Sequence, residues 1–262
     1  MVLKTVSASV YDAEEIGALM LSVSNSPRLT LEFANCKEEV RRAWIVDSIR
    51  SELTACEACR EDATALKVVE TSPGEKEVIV GFGIWVWSEK GHTSIDASRV
   101  VNPLPECINL TLRQEFSSEM AKMERDHRPQ GSCFVLEQLA TAGSHQRRGI
   151  GAGLVLHGLE KADREGMICY LSGAPMGVPL YRKLGFEEVG RLEISLSKFG
   201  GSGTHVHVAM VRKPTANKPK PRGNGIHSLE STAQADDAER DHVPATLQYY
   251  LSTSMRTPYM QR

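Results

Sequence analysis

The segment from Gln146 to Gly153 reads QRRGIGAG and has the residue types of an anion-binding turn. Its glycines let the backbone turn tightly and approach a ligand closely. Arg147 and Arg148 add two positive charges. A helix that begins here leaves its first N–H groups without internal partners and places partial positive charge at the same point. The sequence therefore predicts a site for a diphosphate group.

Three classes of diphosphate ligand bind at such turns. A P-loop requires G-x-x-x-x-G-K-[ST], and the chain lacks this string. A dinucleotide fingerprint requires G-x-G-x-x-G; Gly149 and Gly151 fit, but Leu154 stands at the third glycine. The next strand ends in Leu171-Ser172-Gly173, where an acid would bind the ribose. NAD is therefore disfavoured, and coenzyme A is the remaining class.

Two blocks of sequence resemble the GNAT superfamily of N-acetyltransferases. Gln146-x-x-Gly149-x-Gly151, preceded by a strand, resembles the acyl-CoA signature of that superfamily. The block LYRKLGF at 180–186 resembles its later helix-to-strand segment. The two blocks stand in the expected order. The resemblance is specific over 132–196 and extends plausibly over about 4–213.

The resemblance implies an α/β (α+β) chain with the acyl-CoA N-acyltransferase fold. The central sheet would be mixed and mostly antiparallel, splayed at a parallel strand pair, with helices on both faces. The split would lie between strands 133–141 and 167–173, and acetyl-CoA would be the acyl-donor co-substrate. One departure is Gly143, because relatives often carry a proline in that loop. The residues implied to bind the coenzyme are Leu139, Ala140, Thr141, Gln146, Arg147, Arg148, Gly149, Ile150, Gly151, Ala152, Ser172 and Tyr181.

Two residues are candidates for proton transfer. The resemblance implies that Tyr181 protonates the departing thiolate; the alternative is a packed tyrosine whose hydroxyl bonds to the backbone. Glu137 interrupts the apolar strand CFVLEQL. Burial would raise the pKa of its carboxyl group, which suits a base that accepts the amine proton near neutrality. The alternative is that Glu137 pairs with an arginine, or only orients the amine or a water molecule.

These residues predict transfer of an acetyl group to an amine by direct attack in a ternary complex. Cys133 and Cys169 lie in predicted core strands and are expected to be inert, so no covalent acyl carrier is expected. A small-molecule acceptor is favoured. The alternatives are a protein or peptide acceptor, a longer acyl group, a hydroxyl acceptor, or a non-catalytic acyl-CoA sensor with the same fold.

The elements that must position these residues follow from the apolar periodicity. Helices are predicted at 12–23, 37–60, 110–126, 149–166 and 174–185. Strands are predicted at 65–71, 77–87, 133–141, 167–173, 186–196 and 205–213, the first two forming a hairpin through Pro73-Gly74. Residues 25–36 are predicted to be a polar connection.

The predicted domain spans 1–213, and the proline-rich, polar segment 214–262 is predicted to be a disordered tail. Within the domain, 88–130 forms a long insertion, either an acceptor-site element or a tolerated surface insertion. We place acceptor selection in 25–36, 88–130 and 197–204. Three side chains there could sort the charge of the acceptor: Arg28, Glu32 and Glu115.

Composition excludes several classes of partner. Lys plus Arg total 31 and Asp plus Glu total 33, for a net charge of −2, which excludes a basic nucleic-acid surface over the whole protein. The densest apolar run, 78–87, is half the length of a membrane span, and the N-terminus lacks a signal-peptide pattern. Neither nucleic acid nor membrane is an expected partner, and the oligomeric state stays open.

The cysteines and histidines point to no metal or redox site. Cys56 and Cys59 form a lone C-x-x-C inside a predicted helix. His205 and His207 alternate with valines and would share one side of a strand, but metal ligation needs a third ligand. The six cysteines are scattered, which favours a reduced, cytoplasmic setting, a nuclear one staying open.

Overall fold

The computed structural model describes residues 1–74, 76–89, 92–93, 95–96, 98, 100 and 102–215. Within them lie eight strands: β1 Val2–Ser7, β2 Ala63–Thr71, β3 Val78–Glu89, β4 His92–Thr93, β5 Cys133–Thr141, β6 Ile168–Gly173, β7 Glu187–Ser195 and β8 Thr204–Arg212. The helices are α1 Ala13–Val23, α2 Pro27–Glu32, α3 Glu38–Ala58, α4 Leu110–His127, α5 Ile150–Glu165 and α6 Val178–Lys183.

The strands form one mixed sheet in the order β1-β2-β3-β5-β6-β8-β7, and β4 pairs with β3. Every pairing is antiparallel except that of β5 with β6. Helix α5 makes the crossover that a parallel pair requires. The predicted fold class is confirmed: a mostly antiparallel sheet with one parallel pair and helices on both faces.

The two faces of the sheet carry separate apolar cores. Helices α1 to α4 pack on one face, which we call the front, with Ile16, Ile49 and Phe116 among its buried residues. Helices α5 and α6 pack on the other face, the back, with Leu154 and Tyr181 among its buried residues. Strand β5 is buried along its whole length, as expected of a central strand covered on both faces.

Close packing of α5 on the sheet depends on Gly158. A Cβ at this position would lie 2.2 Å from the ring of Trp85 on β3. The indole Nε1 of Trp85 donates to the carbonyl of Leu154 at 3.2 Å, which ties the same strand and helix together. The helix that follows the anion-binding turn is therefore held at a fixed distance from β3.

Three short elements, α2, β1 and β4, were not predicted. Residues 25–36 contain α2, where Ser26 accepts a hydrogen bond from the amide of Leu29 at 3.3 Å and Pro27 occupies the first turn. The polar connection expected there is therefore wrong over Pro27–Glu32. Strand β1 was missed because nearly all its side chains are exposed, so its sequence lacks alternation. The helix predicted at 174–185 is shorter, a 3-10 turn at Pro175–Gly177 followed by α6.

A disulfide joins Cys36 to Cys107, across 71 residues of sequence. It links the segment after α2 to the segment before α4, and the amide of Asn109 donates to the carbonyl of Glu32 at 2.8 Å beside it. The expectation that all six cysteines are reduced is wrong for this pair, because the fold brings together two residues that are distant in sequence.

Two expectations concern the ends and the surface of the chain. The predicted tail falls almost wholly outside the described residues, which end at Thr215. Thr215 itself accompanies Arg212 in binding the carboxylate of Asp163 on α5. In the part of the chain that the structure describes, no helix has both the length and the apolarity needed to cross a membrane.

Loss of the disulfide is expected to destabilise the domain. Cys36→Ser should lower the free energy of unfolding by about 2–4 kcal/mol, because the cross-link restricts the unfolded chain over a long loop. Urea titrations under non-reducing conditions measure this loss. Cys59→Ser, which removes a half-buried thiol outside the disulfide, is the control. A reductant should lower the urea midpoint of the wild type and leave that of Cys36→Ser unchanged. Equal urea midpoints for the wild type and Cys36→Ser under non-reducing conditions would contradict the cross-link.

Candidate functional site

Glu137 is the extra residue of a β-bulge in the middle of β5. The register with β3 pairs Trp85 with Leu136 and Ile84 with Gln138, so Glu137 has no opposite residue. A bulge kinks its strand and redirects side chains. Gln138 donates to both carboxylate oxygens of Glu52 on α3, at 3.3 and 3.1 Å, which fixes the bulge against the front helices.

The parallel pairing of β5 and β6 ends at the same level. The last pair is Leu136 with Leu171, although β5 continues to Thr141 and β6 to Gly173. Among the described residues, β6 pairs beyond this point with β8 alone. The sheet therefore splits between β5 and β6 where the resemblance predicted, and no described strand pairs with the edge of β5 at Leu139, Ala140 and Thr141 on the β6 side.

The backbone of the anion-binding turn is left-handed at two positions. Arg147 has φ 64° and Gly149 has φ 82°. For Arg147 this conformation costs about 1–2 kcal/mol, which the rest of the loop must offset. Alternation of left- and right-handed residues is typical of anion-binding nests. Gly149 is the N-cap of α5 and gives no side-chain cap, so the first turn at Ile150, Gly151 and Ala152 begins without one.

The charges of this turn are partly balanced by Glu70 of β2. Its carboxylate lies 3.0 Å from His145 Nε2 and 3.4 Å from Arg148 Nη1. The hydrogen bond to His145, followed by the charges of His145 and Arg148, lowers the pKa of Glu70. Arg147 has no acidic partner within the described residues. One guanidinium therefore remains available to a ligand.

The end of β5, the start of α5 and the start of α6 meet at one place. A Cβ on Gly151 would lie 3.5 Å from Leu180 and 3.6 Å from the hydroxyl of Thr141. Gln146 donates from Nε2 to the carbonyl of Thr141 at 3.3 Å, which holds the turn against the strand end. The structure thus brings together the predicted coenzyme-binding residues of β5 and of the turn.

Tyr181 lies on the back of the sheet and is 1 % exposed. Its ring packs edge-on against Phe186 at 6.0 Å between centroids and lies beside Gly177. Burial raises the pKa of its phenol above the ordinary value. The hydroxyl therefore keeps its proton at neutral pH, as an acid must. Its predicted role in catalysis stays a prediction.

Glu137 is 2 % exposed, and Arg128 is its electrostatic partner. Burial lowers the pKa of Arg128, but the charges of Glu137 and Glu124 outweigh it and raise that pKa above the ordinary value. The guanidinium also lies 5.8 Å from the ring centroid of Tyr170 on β6. The arginine neighbour that the sequence left open as an alternative is present, and a role as base stays a prediction.

Ser172 of β6 lies beyond the last β5–β6 pair and faces the front helices. Its hydroxyl is 3.4 Å from Nδ1 of His207 and 3.9 Å from the sulfur of Met120. His205 and His207 share one side of β8, as predicted, and both rings pack edge-on against Phe116 of α4. Among the described residues, no group of three or more His, Cys, Asp or Glu could hold a metal ion.

A family model adds to this geometry. Residues 106–186 match the model of the acetyltransferase (GNAT) family, a range that includes α4, the bulged strand, the anion-binding turn and α6. This part of the chain, less than half of its length, is therefore similar to the GNAT acetyltransferase family. The match confirms the resemblance to the GNAT superfamily, the acyltransferase class and the acyl-CoA donor that the sequence predicted.

Solved structures give weaker similarities to this chain. The histone acetyltransferase HPA2 and related acetyltransferase from Corynebacterium glutamicum is 18 % identical, with a TM-score of 0.49, over 84 % of this chain and 100 % of that one. The PaiA N-acetyltransferase of Thermoplasma acidophilum, solved with coenzyme A, is 14 % identical, with a TM-score of 0.44, over 81 % and 99 %. Arabidopsis thaliana NAA60, solved with a bisubstrate analogue, is 13 % identical, with a TM-score of 0.47, over 82 % and 100 %. At this level neither acceptor nor mechanism transfers to this chain.

A cluster of arginines beside α2 is a feature that the sequence did not predict. Arg28 and Glu32, expected to sort acceptor charge, form a buried ion pair with each other. Arg113 of α4 is 0 % exposed, and its Nη1 lies 3.6 Å from the same carboxylate. The sequence did carry one signal for the burial of Arg113: it lies on the apolar side of α4, one residue after Leu112 and three before Phe116. Glu115 is only half-buried on that helix.

The left-handed backbone at Gly149 generates a stability prediction. Gly149→Ala should lower the free energy of unfolding by about 1 kcal/mol, because a side chain is strained at that φ even in open space. Gly143→Ala is the matched control, since it lies in the same loop, also faces open space and lacks a positive φ. Urea unfolding curves measure both. Equal losses in the two variants would contradict the assigned backbone.

Proposed function

We propose that this chain transfers an acetyl group from acetyl-CoA to an amine by direct attack in a ternary complex, and that the acceptor is a small molecule. The observation that carries the proposal is the split of the sheet. Pairing of β5 with β6 stops at Leu136 and Leu171, beside the bulge at Glu137 and in front of the uncapped start of α5. The domain proposed to do this spans 1–213.

The turn fits the diphosphate of the coenzyme. The first-turn amides of α5 carry no side-chain cap, and the left-handed Arg147 and Gly149 shape the backbone before them. Helix N-termini bind phosphates through such amides. The Arg147 guanidinium would add charge. The backbone of Leu139, Ala140 and Thr141, which lacks a strand partner towards β6, would bind the pantetheine arm.

Tyr181 is proposed as the general acid. When bound, acetyl-CoA supplies an electrophilic thioester carbonyl whose carbon–sulfur bond must break. The departing sulfur gains a proton, and the Tyr181 hydroxyl, which is protonated at neutral pH like any phenol, would donate it. Its residue neighbours on the back face, Phe186 and Gly177, fix the ring beside the start of α6.

Glu137 is proposed as the group that accepts the amine proton. An amine near pKa 10 is mostly protonated at neutral pH and cannot attack until it loses a proton. The bulge presents Glu137 at the level where the strands part. Arg128 is the charged neighbour of Glu137 at this point, and the charge of Glu137 helps to raise the pKa of that arginine. The ammonium first loses one proton to solvent. As the carbon–nitrogen bond forms and the carbon–sulfur bond breaks, the nitrogen loses its second proton to Glu137 and the departing sulfur gains one from Tyr181.

Direct attack is favoured because the buried thiols near the split are poor nucleophiles. Burial raises the pKa of Cys133, and it raises the pKa of Cys169 to about 12. Neither thiol is ionised at neutral pH, so neither would carry an acyl group. The cytoplasmic location expected from the sequence stays a prediction.

Two measurements on the wild type test the proposal. Calorimetry should detect acetyl-CoA binding, and thiol release should rise when a panel of small amines is added. Failure to bind any acyl-CoA would overturn the proposal. Binding of acetyl-CoA without turnover on any amine or peptide would favour the sensor, whereas turnover on peptides alone would favour a protein acceptor.

Tyr181→Phe should lower kcat by about 100-fold, because it removes the proton that the hydroxyl would donate. Acetyl-CoA affinity should stay within about threefold, a change of well under 1 kcal/mol. The matched control is Tyr170→Phe, which removes the hydroxyl of another buried tyrosine, on strand β6. Steady-state thiol release gives kcat. Unchanged turnover in Tyr181→Phe would remove the assignment.

Glu137→Gln tests the proposed base. The amide keeps the shape of the side chain but cannot accept the proton, so kcat/KM should fall about 100-fold and its acidic limb should vanish from the pH profile. If Glu137 serves only to pair with Arg128, then Arg128→Gln should reproduce the loss, and the acidic limb should persist in both variants. That second pattern would refute the base.

A further inference from the structure

The cluster beside α2 holds more positive than negative charge. The Arg28 guanidinium forms an ion pair with Glu32, and Arg113 approaches the same carboxylate at 3.6 Å. Arg41, half-buried on α3, also feels the charge of Glu32. Arg28 is 3 % exposed, and Arg113 and Glu32 are 0 % exposed. Glu32 therefore compensates one of two buried guanidiniums, which leaves an excess positive charge away from water.

The hydrogen-bond donors of the cluster are also in excess. Within the described residues, Nε, Nη1 and Nη2 of Arg113 have no hydrogen-bond partner, and neither has Nε of Arg28 nor Nε of Arg41. The only unused acceptor atom on Glu32 is Oε1. Buried polar groups are nearly always paired in proteins, and each unpaired one needs an explanation. Several donors and one acceptor fit an added anion with oxygen ligands.

A continuous set of side chains links this cluster to the split in the sheet. The Arg28 guanidinium lies 3.9 Å from the centroid of the Phe116 ring. That ring packs on His207, whose Nδ1 is 3.4 Å from the hydroxyl of Ser172. Ser172 follows the last residue of β6 that pairs with β5. The cluster therefore lies on the acceptor side of the proposed transfer site, on the front of the sheet.

The two histidines between them add no charge. Burial, followed by the neighbouring His207 and Arg28, lowers the pKa of His205 to about 2. Burial, followed by the charge of Arg28, lowers the pKa of His207 to about 3. Both imidazoles are neutral at neutral pH. They neither balance the arginines nor add to them. A ligand that carries only ammonium groups, such as a polyamine, would meet an unopposed positive charge here.

We propose that the arginine cluster (Arg28, Arg41 and Arg113 around Glu32) binds a carboxylate of the acceptor, so that the acceptor is an amine that also carries a carboxylate group. This inference rests on the proposed acetyl transfer and names its substrate class. The amine faces the split near Ser172, and the carboxylate replaces the missing acceptors of Arg113 and Arg28. The half-buried Arg41 marks the side of the cluster nearest to solvent.

Matched pairs of amines test the inference on the full-length chain. Each pair differs only by a carboxylate: ornithine and putrescine, lysine and cadaverine, phenylalanine and phenethylamine. We expect the carboxylated member of at least one pair to have a kcat/KM at least about tenfold higher, since hydrogen bonds to a charged group from buried donors give such factors. Binding of each amine to the complex with CoA, measured by calorimetry, should show the same preference independently of turnover.

Arg113→Gln should reduce the preference within that pair to less than about threefold, because the donors with no partner are lost. Arg125→Gln is the matched control on the same helix, where the side chain is 70 % exposed and forms an ion pair with Asp126. It should keep the wild-type preference. Thermal melts report whether Arg113→Gln is folded, and the wild-type pairs remain decisive if it is not.

The outcomes separate the inference from the function on which it rests. Acetyl-CoA binding and amine acetylation without a carboxylate preference, in both turnover and binding, would overturn the subsite and leave the acetyltransferase intact. Absence of acetyl-CoA binding would overturn the proposed function itself. Short acceptor peptides with Glu or Gln at the second position show where the carboxylate comes from. If the chain prefers the Glu peptide but shows no carboxylate preference among the free amines, the carboxylate belongs to a peptide side chain.

Discussion

The short parallel pairing of β5 and β6 is the constraint on which the rest of the molecule depends. It spans four residue pairs and stops beside the bulge at Glu137. Beyond Leu136 and Leu171, the backbone N–H and C=O groups of β5 and β6 therefore do not hydrogen-bond to each other, although central strands normally pair along their length. This unpaired stretch begins where the β5–β6 pairing ends. The anion-binding turn, Tyr181 and Ser172 are the predicted site residues assigned to this part of the fold.

The two faces of the sheet divide the proposed work. The back carries α5, α6 and Tyr181, and so would hold the proposed coenzyme end and the proposed acid. The front carries α1 to α4, the bulge contact through Gln138 and Glu52, and the arginine cluster. An acyl group held in the split would be reached by the acceptor from the front and by the leaving-group acid from the back. This separation keeps the two proton transfers apart.

The sequence predicted the elements whose signals are local. Gly149 and Gly151 marked the start of α5, the apolar run marked β5, and the alternation of His205 and His207 placed both on one side of β8. It did not predict features that depend on pairing between distant segments. The bulge at Glu137 exists only in register with β3, and the disulfide exists only because α2 folds beside the start of α4. Arg113 was missed because a charged residue on an apolar helix side gains meaning only from Glu32, which lies far away in sequence.

The position of β8 has a consequence for biosynthesis. Although it is the latest strand in the described sequence, it lies inside the sheet, between β6 and β7. While the chain emerges from the ribosome, β6 and β7 have no neighbour on those sides until residues 204–212 are released. Nascent chains expose such edges to mispairing. Translation speed through this strand would thus set how long the half-built sheet needs chaperone protection.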